Sequence, residues 1–89
     1  MKTELQNAEI LRALELLLLF DVKHPRMSIK EIMGRSGSLN IPPILRMLQI
    51  LEERDFLERM LFSGKTFWGI TSLGRKARNQ IEKIIDAGL

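Results

Sequence analysis

The residues of this chain that are able to do chemistry are few, and their spacing points to binding rather than catalysis. Ser63-Gly64-Lys65-Thr66 spells the end of a phosphate-binding loop, in which backbone N–H groups and a lysine cradle nucleotide phosphates. The full motif needs a glycine at position 59 and a turn from strand into helix. Position 59 is Arg, and the local pattern is that of a hairpin. Lys65 therefore reads as a hairpin-tip lysine facing phosphate. His24 is the single histidine, and its place before Pro25 is that of a solvated loop residue. There is no cysteine, which excludes disulfides and thiolate metal sites. No set of His, Asp or Glu has metal-ligand spacing, and no nucleophile–base pair stands out. The expectation is a chain that is not an enzyme and takes no cofactor or metal.

Charge carries more. The net charge of +3 is modest but unevenly placed. Residues 1–22 are net −2, and residues 23–50 are net +4 through Lys23, Arg26, Lys30, Arg35 and Arg46. Residues 51–58 are net −3, and residues 59–78 are net +5, with Arg59, Lys65, Arg75, Lys76 and Arg78 and no acid. Two basic segments separated by acidic ones are able to converge on one face after folding, an electrostatic footprint for a polyanion.

The elements that must position these side chains follow from apolar spacing. A chain of 89 residues holds one domain with a thin core. Asn7 is placed to cap a first helix, in which Ile10, Leu11, Leu14, Leu17 and Leu18 recur at helical spacing. Leu16, Leu19 and Phe20 add apolar residues on the other flanks, which predicts a helix hydrophobic nearly all round and stopping before His24-Pro25. The run 14–20 is far short of the roughly 20 residues of a membrane span. The N-terminus does not read as a signal peptide, so a soluble, cytoplasmic protein is expected.

Ser28, with Glu31 three residues on, spells a capping box for a second helix carrying Ile29, Ile32 and Met33. Gly34, Gly37 and the intervening serines end it. Pro42 and Pro43 fit the first turn of a third helix, where a missing N–H costs nothing. Ile44, Leu48 and Leu51 form its buried stripe, with Met47 beside them, and it ends near Arg54-Asp55. Residues 56–61 and 65–70 then read as two strands of a hairpin, with Trp68 and Ile70 on the core side. Thr71 or Ser72 caps a last helix bearing Leu73, Ala77, Ile81, Ile84 and Ile85, with Gly88 as its stop. The fold class is α+β and mostly helical: a three-helix core, a two-stranded hairpin and a C-terminal helix.

Three stretches carry a family resemblance. Ser28-Ile29-Lys30-Glu31-Ile32, Leu48-Gln49-Ile50-Leu51-Glu52-Glu53-Arg54-Asp55-Phe56-Leu57 and Ile70-Thr71-Ser72-Leu73-Gly74-Arg75 resemble the winged helix-turn-helix of small archaeal and bacterial transcriptional regulators of the MarR, ArsR and PadR kinds. The last matches a frequent boundary between wing and final helix. The resemblance implies one domain over 1–89, with a helix-turn-helix at about 28–54, a wing at about 56–70 and a C-terminal helix at about 72–87. It implies a recognition helix, about 41–54, in the major groove of double-stranded DNA. The wing, about 59–67, then lies on the neighbouring backbone or minor groove.

On that reading Arg46 and Gln49 read or brace the major groove, and Ile41 and Pro42 touch thymine methyls at best. Lys30, Arg35, Ser38 and Asn40 hold phosphates, while Lys65 and Arg59 grip the backbone under the wing. Two departures stand out: Asp55 occupies a place where the family usually has glycine, and the recognition helix opens on Ile41-Pro42-Pro43. Affinity is therefore expected mainly from phosphates. A homodimer is expected, built on Leu16, Leu19 and Phe20 of the first helix and Ile81, Ile84 and Ile85 of the last. Two other classes stay open, a protein–protein interaction module and a sequence-independent architectural DNA binder.

Overall fold

Capping chemistry and apolar spacing set the elements of the computed structural model, which describes residues 7–37 and 40–88. They are α1 (Asn7–Leu17), β1 (Arg26–Ser28), α2 (Ile29–Ser36), α3 (Ile41–Glu53), β2 (Leu57–Phe62), β3 (Lys65–Ile70) and α4 (Ser72–Gly88). The cap expected at Asn7 rests on a side chain outside those described. The capping box forms: Ser28 Oγ accepts from the Glu31 N–H at 3.3 Å, and Glu31 Oε1 accepts from the Ser28 N–H at 3.0 Å. These bonds satisfy donors that a helix start otherwise leaves open. They also hold the Glu31 carboxyl below its ordinary pKa, the backbone bond from Ser28 being the largest cause.

Ile44, Leu48 and Leu51 of α3 recur one turn apart and are fully buried, as periodicity requires. They meet Ala13, Leu16 and Leu17 of α1, Phe20, Met27, Ile32 of α2, and Leu57 and Trp68 of the sheet in one core. The sheet has three antiparallel strands in the order β1-β3-β2.

Three expectations need correction. The first helix stops at Leu17 instead of running toward Pro25. Residues 18–20 tighten into bonds of the i to i−3 kind, from Leu18, Leu19 and Phe20 N–H to the carbonyls of Glu15, Leu16 and Leu17. Asp21 then turns the chain, its Oδ1 accepting from the N–H groups of Lys23 at 2.9 Å and His24 at 2.8 Å. Second, the apolar excess of 14–20 is largely spent inside the chain. Leu16 and Phe20 are 5% and 1% exposed, which removes both from the expected dimer surface. Leu19 is half-buried and packs on the same core. Third, the hairpin has an additional partner. β1 pairs with β3 through Arg26↔Gly69, Met27↔Trp68 and Ser28↔Phe67, and places Met27 wholly inside. Three residues are too few to show a period of two, so this strand leaves no sequence signature.

The entry to α4 is bolted to the joint between α3 and β2. Thr71 Oγ1 accepts from the Gly74 N–H at 2.9 Å, which makes Thr71 the cap, and donates to the Asp55 carbonyl at 2.5 Å. The Thr71 N–H donates to the Phe56 carbonyl at 3.1 Å. Farther along α4, Arg78 donates to the Leu18 carbonyl at 3.1 Å and pairs with Glu82 at 2.8 Å, tying the helix to the end of α1.

Candidate nucleic-acid interface

α2 ends on Gly37, whose φ of 75° is the left-handed conformation of a C-cap and whose N–H returns to the Met33 carbonyl. Asn40 is extended at the N-cap of α3, with Pro42 and Pro43 in the first turn. With Ile44, Leu48 and Leu51 committed to the core, the opposite face of α3 presents Pro42, Leu45, Arg46, Gln49 and Glu53, all exposed. Asp55 then takes φ 62°, the left-handed turn that lets the chain leave α3 for β2.

The hairpin of β2 and β3 stands beside this face. Its two-residue loop has φ 52° at Ser63 and 76° at Gly64, as a type I′ turn requires, and pairs Phe62 with Lys65. The base of the hairpin is fixed to α3 through one carboxylate. Trp68 Nε1 donates to Glu52 Oε2 at 3.1 Å, and Arg59 Nε stands 3.4 Å from Glu52 Oε1. Leu45, Gln49, Glu52, Glu53, Arg59 and Trp68 line the cleft between helix and hairpin.

Three antiparallel strands, a helix-turn-helix and a hairpin projecting beside its second helix decide the architecture. The fold is a winged helix-turn-helix. No protein-family model matches the chain, and no curated protein matches it in sequence. Solved structures match it closely. The DNA-binding protein Sso10a-2 from Sulfolobus solfataricus superposes with a TM-score of 0.70 at 20% identity, over 84% of this chain and 77% of that one. The transcriptional regulator YodB from B. subtilis gives 0.69 at 15% identity, over 94% and 90%. BpsR of Bordetella bronchiseptica, whose DNA binding is regulated by 6-hydroxynicotinic acid, gives 0.72 at 14% identity, over 93% of this chain and 64% of that one. In winged-helix terms α2 and α3 are the helix-turn-helix, and the β2–β3 hairpin is the wing.

The cations expected to meet DNA fall into two groups. Lys30 at the start of α2 and Lys65 at the wing tip are exposed and make no ion pair among the described residues. The three arginines are each held by a carboxylate of the chain. Arg46 Nε lies 3.6 Å from Glu9 of α1, Arg59 is on Glu52, and Arg35 stands 3.3 Å from Asp21. Arg35 also lies 3.2 Å from His24 Nδ1. Gln49, Asn40, Ile41 and Pro42 are exposed on or beside the same face. Ser38 lies outside the described residues.

Sequence reasoning missed the carboxylates that restrain these cations. Partial burial works against ionisation of Asp21, but hydrogen bonds from the His24 side chain and from the His24 and Lys23 backbone outweigh it and lower its pKa. An aspartate two and three residues before polar loop N–H groups is a readable turn signal, whereas the Glu9 and Glu52 pairings depend on how helices and wing pack. Of the apolar residues expected at a dimer contact, Ile81 is half-buried on the core, while Ile84 and Ile85 are 62% and 46% exposed. No described helix is long and apolar enough to cross a membrane.

Proposed function

We propose that this protein is a double-stranded DNA-binding transcriptional regulator that works as a homodimer. In this reading α3 enters the major groove, and the wing lies on the adjacent backbone and minor groove. One observation carries it: the outer face of α3 and the wing tip project side by side, with Lys30 and Lys65 free to meet phosphates. The segment from Arg59 to Ile81 contains no acidic residue that would repel a polyanion there. The likeness to Sso10a-2 and YodB supports the same reading by analogy of fold. Dimerisation would use Ile84 and Ile85 on the outer flank of α4, with exposed Leu11 of α1 a further apolar position open to a second chain.

The deciding experiment is duplex binding measured as a function of salt. Affinity should fall steeply, between about 10²- and 10⁵-fold from roughly 50 to 200 mM, because released counterions drive the association. A flat response would move the reading to a protein-interaction module, for which exposed Ile41 and Leu45 on α3 are the specific support. Sedimentation at micromolar concentration should give about twice the 10.3 kDa of one chain, and a monomer throughout would remove the dimer.

A further inference from the structure

The wing ends in two large apolar side chains that the fold does not use. Exposure climbs along the hairpin from Leu57 at 2% to Leu61 at 75% and Phe62 at 71%. Their cross-strand partners are Thr66 and Lys65, beside the tight Ser63-Gly64 turn. Alternation along β2 sends Leu61 to the ribbon face of Arg59, and Phe62 to the face of Met60 and Phe67, so the tip is apolar on both sides. A tip serving only to touch phosphates gains nothing from either side chain.

We infer that Leu61 and Phe62 form a wedge that enters the minor groove and unstacks a base step, kinking the duplex. This rests on the DNA-binding reading and adds to it the manner of the wing's contact. Apolar side chains at the end of a rigid element are what opens base steps in minor-groove binders. The surroundings favour DNA over other occupants. Lys65 is the register partner of Phe62 and makes no ion pair among the described residues, so a cation flanks the wedge. A symmetric contact with a second copy at this tip would bring that cation against itself.

The test uses an alternating dA–dT duplex of about 24 base pairs, rich in easily unstacked TA steps, with one adenine replaced by 2-aminopurine. At low salt the full chain should raise the 2-aminopurine fluorescence. Leu61→Ser/Phe62→Ser should bind more weakly and lose the rise even at saturation. Leu61→Met/Phe62→Leu, which keeps the wedge apolar, should retain it. Saturable binding without a rise in the parent, or a rise that survives the double serine variant, overturns the wedge while leaving DNA binding intact. Absence of any duplex binding overturns both readings. A change of sedimenting mass in the serine variant, with the fluorescence response unaltered, assigns the tip to a protein contact and also overturns the wedge.

Discussion

Replacing Gly74 by alanine tests whether the joint between α4 and the α3–β2 turn is as close as its geometry states. A Cβ at position 74 would lie 2.1 Å from the Phe56 carbonyl oxygen, 2.9 Å from its carbon and 2.8 Å from Ile70 Cγ1. Ordinary contact begins near 3.4 Å, so the start of α4 must retreat by about 1.3 Å from backbone that has no freedom of rotamer. Such a retreat opens the two bonds that Thr71 makes across the joint, to the Phe56 and Asp55 carbonyls. Each is worth about 1 kcal/mol, and overpacking adds about 1–3 kcal/mol. Alanine's better helix propensity returns up to about 1 kcal/mol. The net loss should be about 2–4 kcal/mol, which for a domain of this size lowers Tm by roughly 10–25 °C. The control is Gly34→Ala in the middle of α2, where an added Cβ meets nothing within 4 Å. That variant should gain about 0.5–1 kcal/mol. Thermal melts followed by far-UV circular dichroism read both. If Gly74→Ala melts within about 2 °C of the parent, the close approach is not what places glycine there.

Asp55→Gly should stabilise the protein by about 0.5–1 kcal/mol in urea denaturation, because the φ of 62° strains any side chain and among the described residues only backbone groups of Asp55 are engaged. Glu31 and Asp21 have lowered carboxyl pKa values, so each adds stability above its ordinary value, 4.5 for Glu31 and 3.8 for Asp21. That stability is lost as pH falls through the lower folded value. Glu31→Gln and Asp21→Asn should therefore flatten the acid side of the Tm–pH curve, and an acid limb as steep as the parent's in both would refute this. Glu52→Gln keeps an acceptor for Trp68 Nε1 while releasing Arg59 from its charge partner. Duplex affinity should rise and the salt slope steepen by about one unit per subunit; a weaker complex would contradict that.

How much was legible depended on whether the information was local. The Ser28–Glu31 box, the prolines opening α3 and the Thr71 cap are each written within four residues, and each formed as read, while the loop at 62–64 proved one residue shorter because Phe62 pairs with Lys65. Asp55 shows the same in reverse: a departure from glycine seen in sequence became a left-handed residue in the structure. What was not legible is what packing decides. Leu16 and Phe20 looked like surplus surface because a chain pattern counts apolar residues without knowing how many neighbours will cover them. β1 was invisible because its order comes from β3 beside it. Apolar Leu61 fits the strand pattern and Phe62 falls in the loop just beyond it, so neither signals that the hairpin carries both out of the core.

The largest difference between sequence and structure concerns charge, and it changes what the salt experiment measures. Counted along the chain, Arg35, Arg46, Arg59 and Arg78 supply four of the basic charges in the two positive segments. In the fold each faces a carboxylate, and Arg78 is a structural tie with a side chain only 19% exposed. The other three pairs are partly exposed and worth about 0–1 kcal/mol, so a phosphate can displace the carboxylate at little cost. If only Lys30 and Lys65 bind, a dimer neutralises four phosphates. At about −0.9 per phosphate the slope of log K against log salt is then near −3.6, a loss of roughly 10²-fold from 50 to 200 mM. If Arg35, Arg46 and Arg59 exchange partners as well, ten phosphates are engaged, the slope approaches −9 and the loss exceeds 10⁵-fold. A slope at the shallow end means that Glu9, Asp21 and Glu52 keep their arginines when DNA is bound. Glu9→Gln should then steepen it by releasing Arg46, whereas a slope already near −9 that Glu9→Gln leaves unchanged would show that the arginines are handed over.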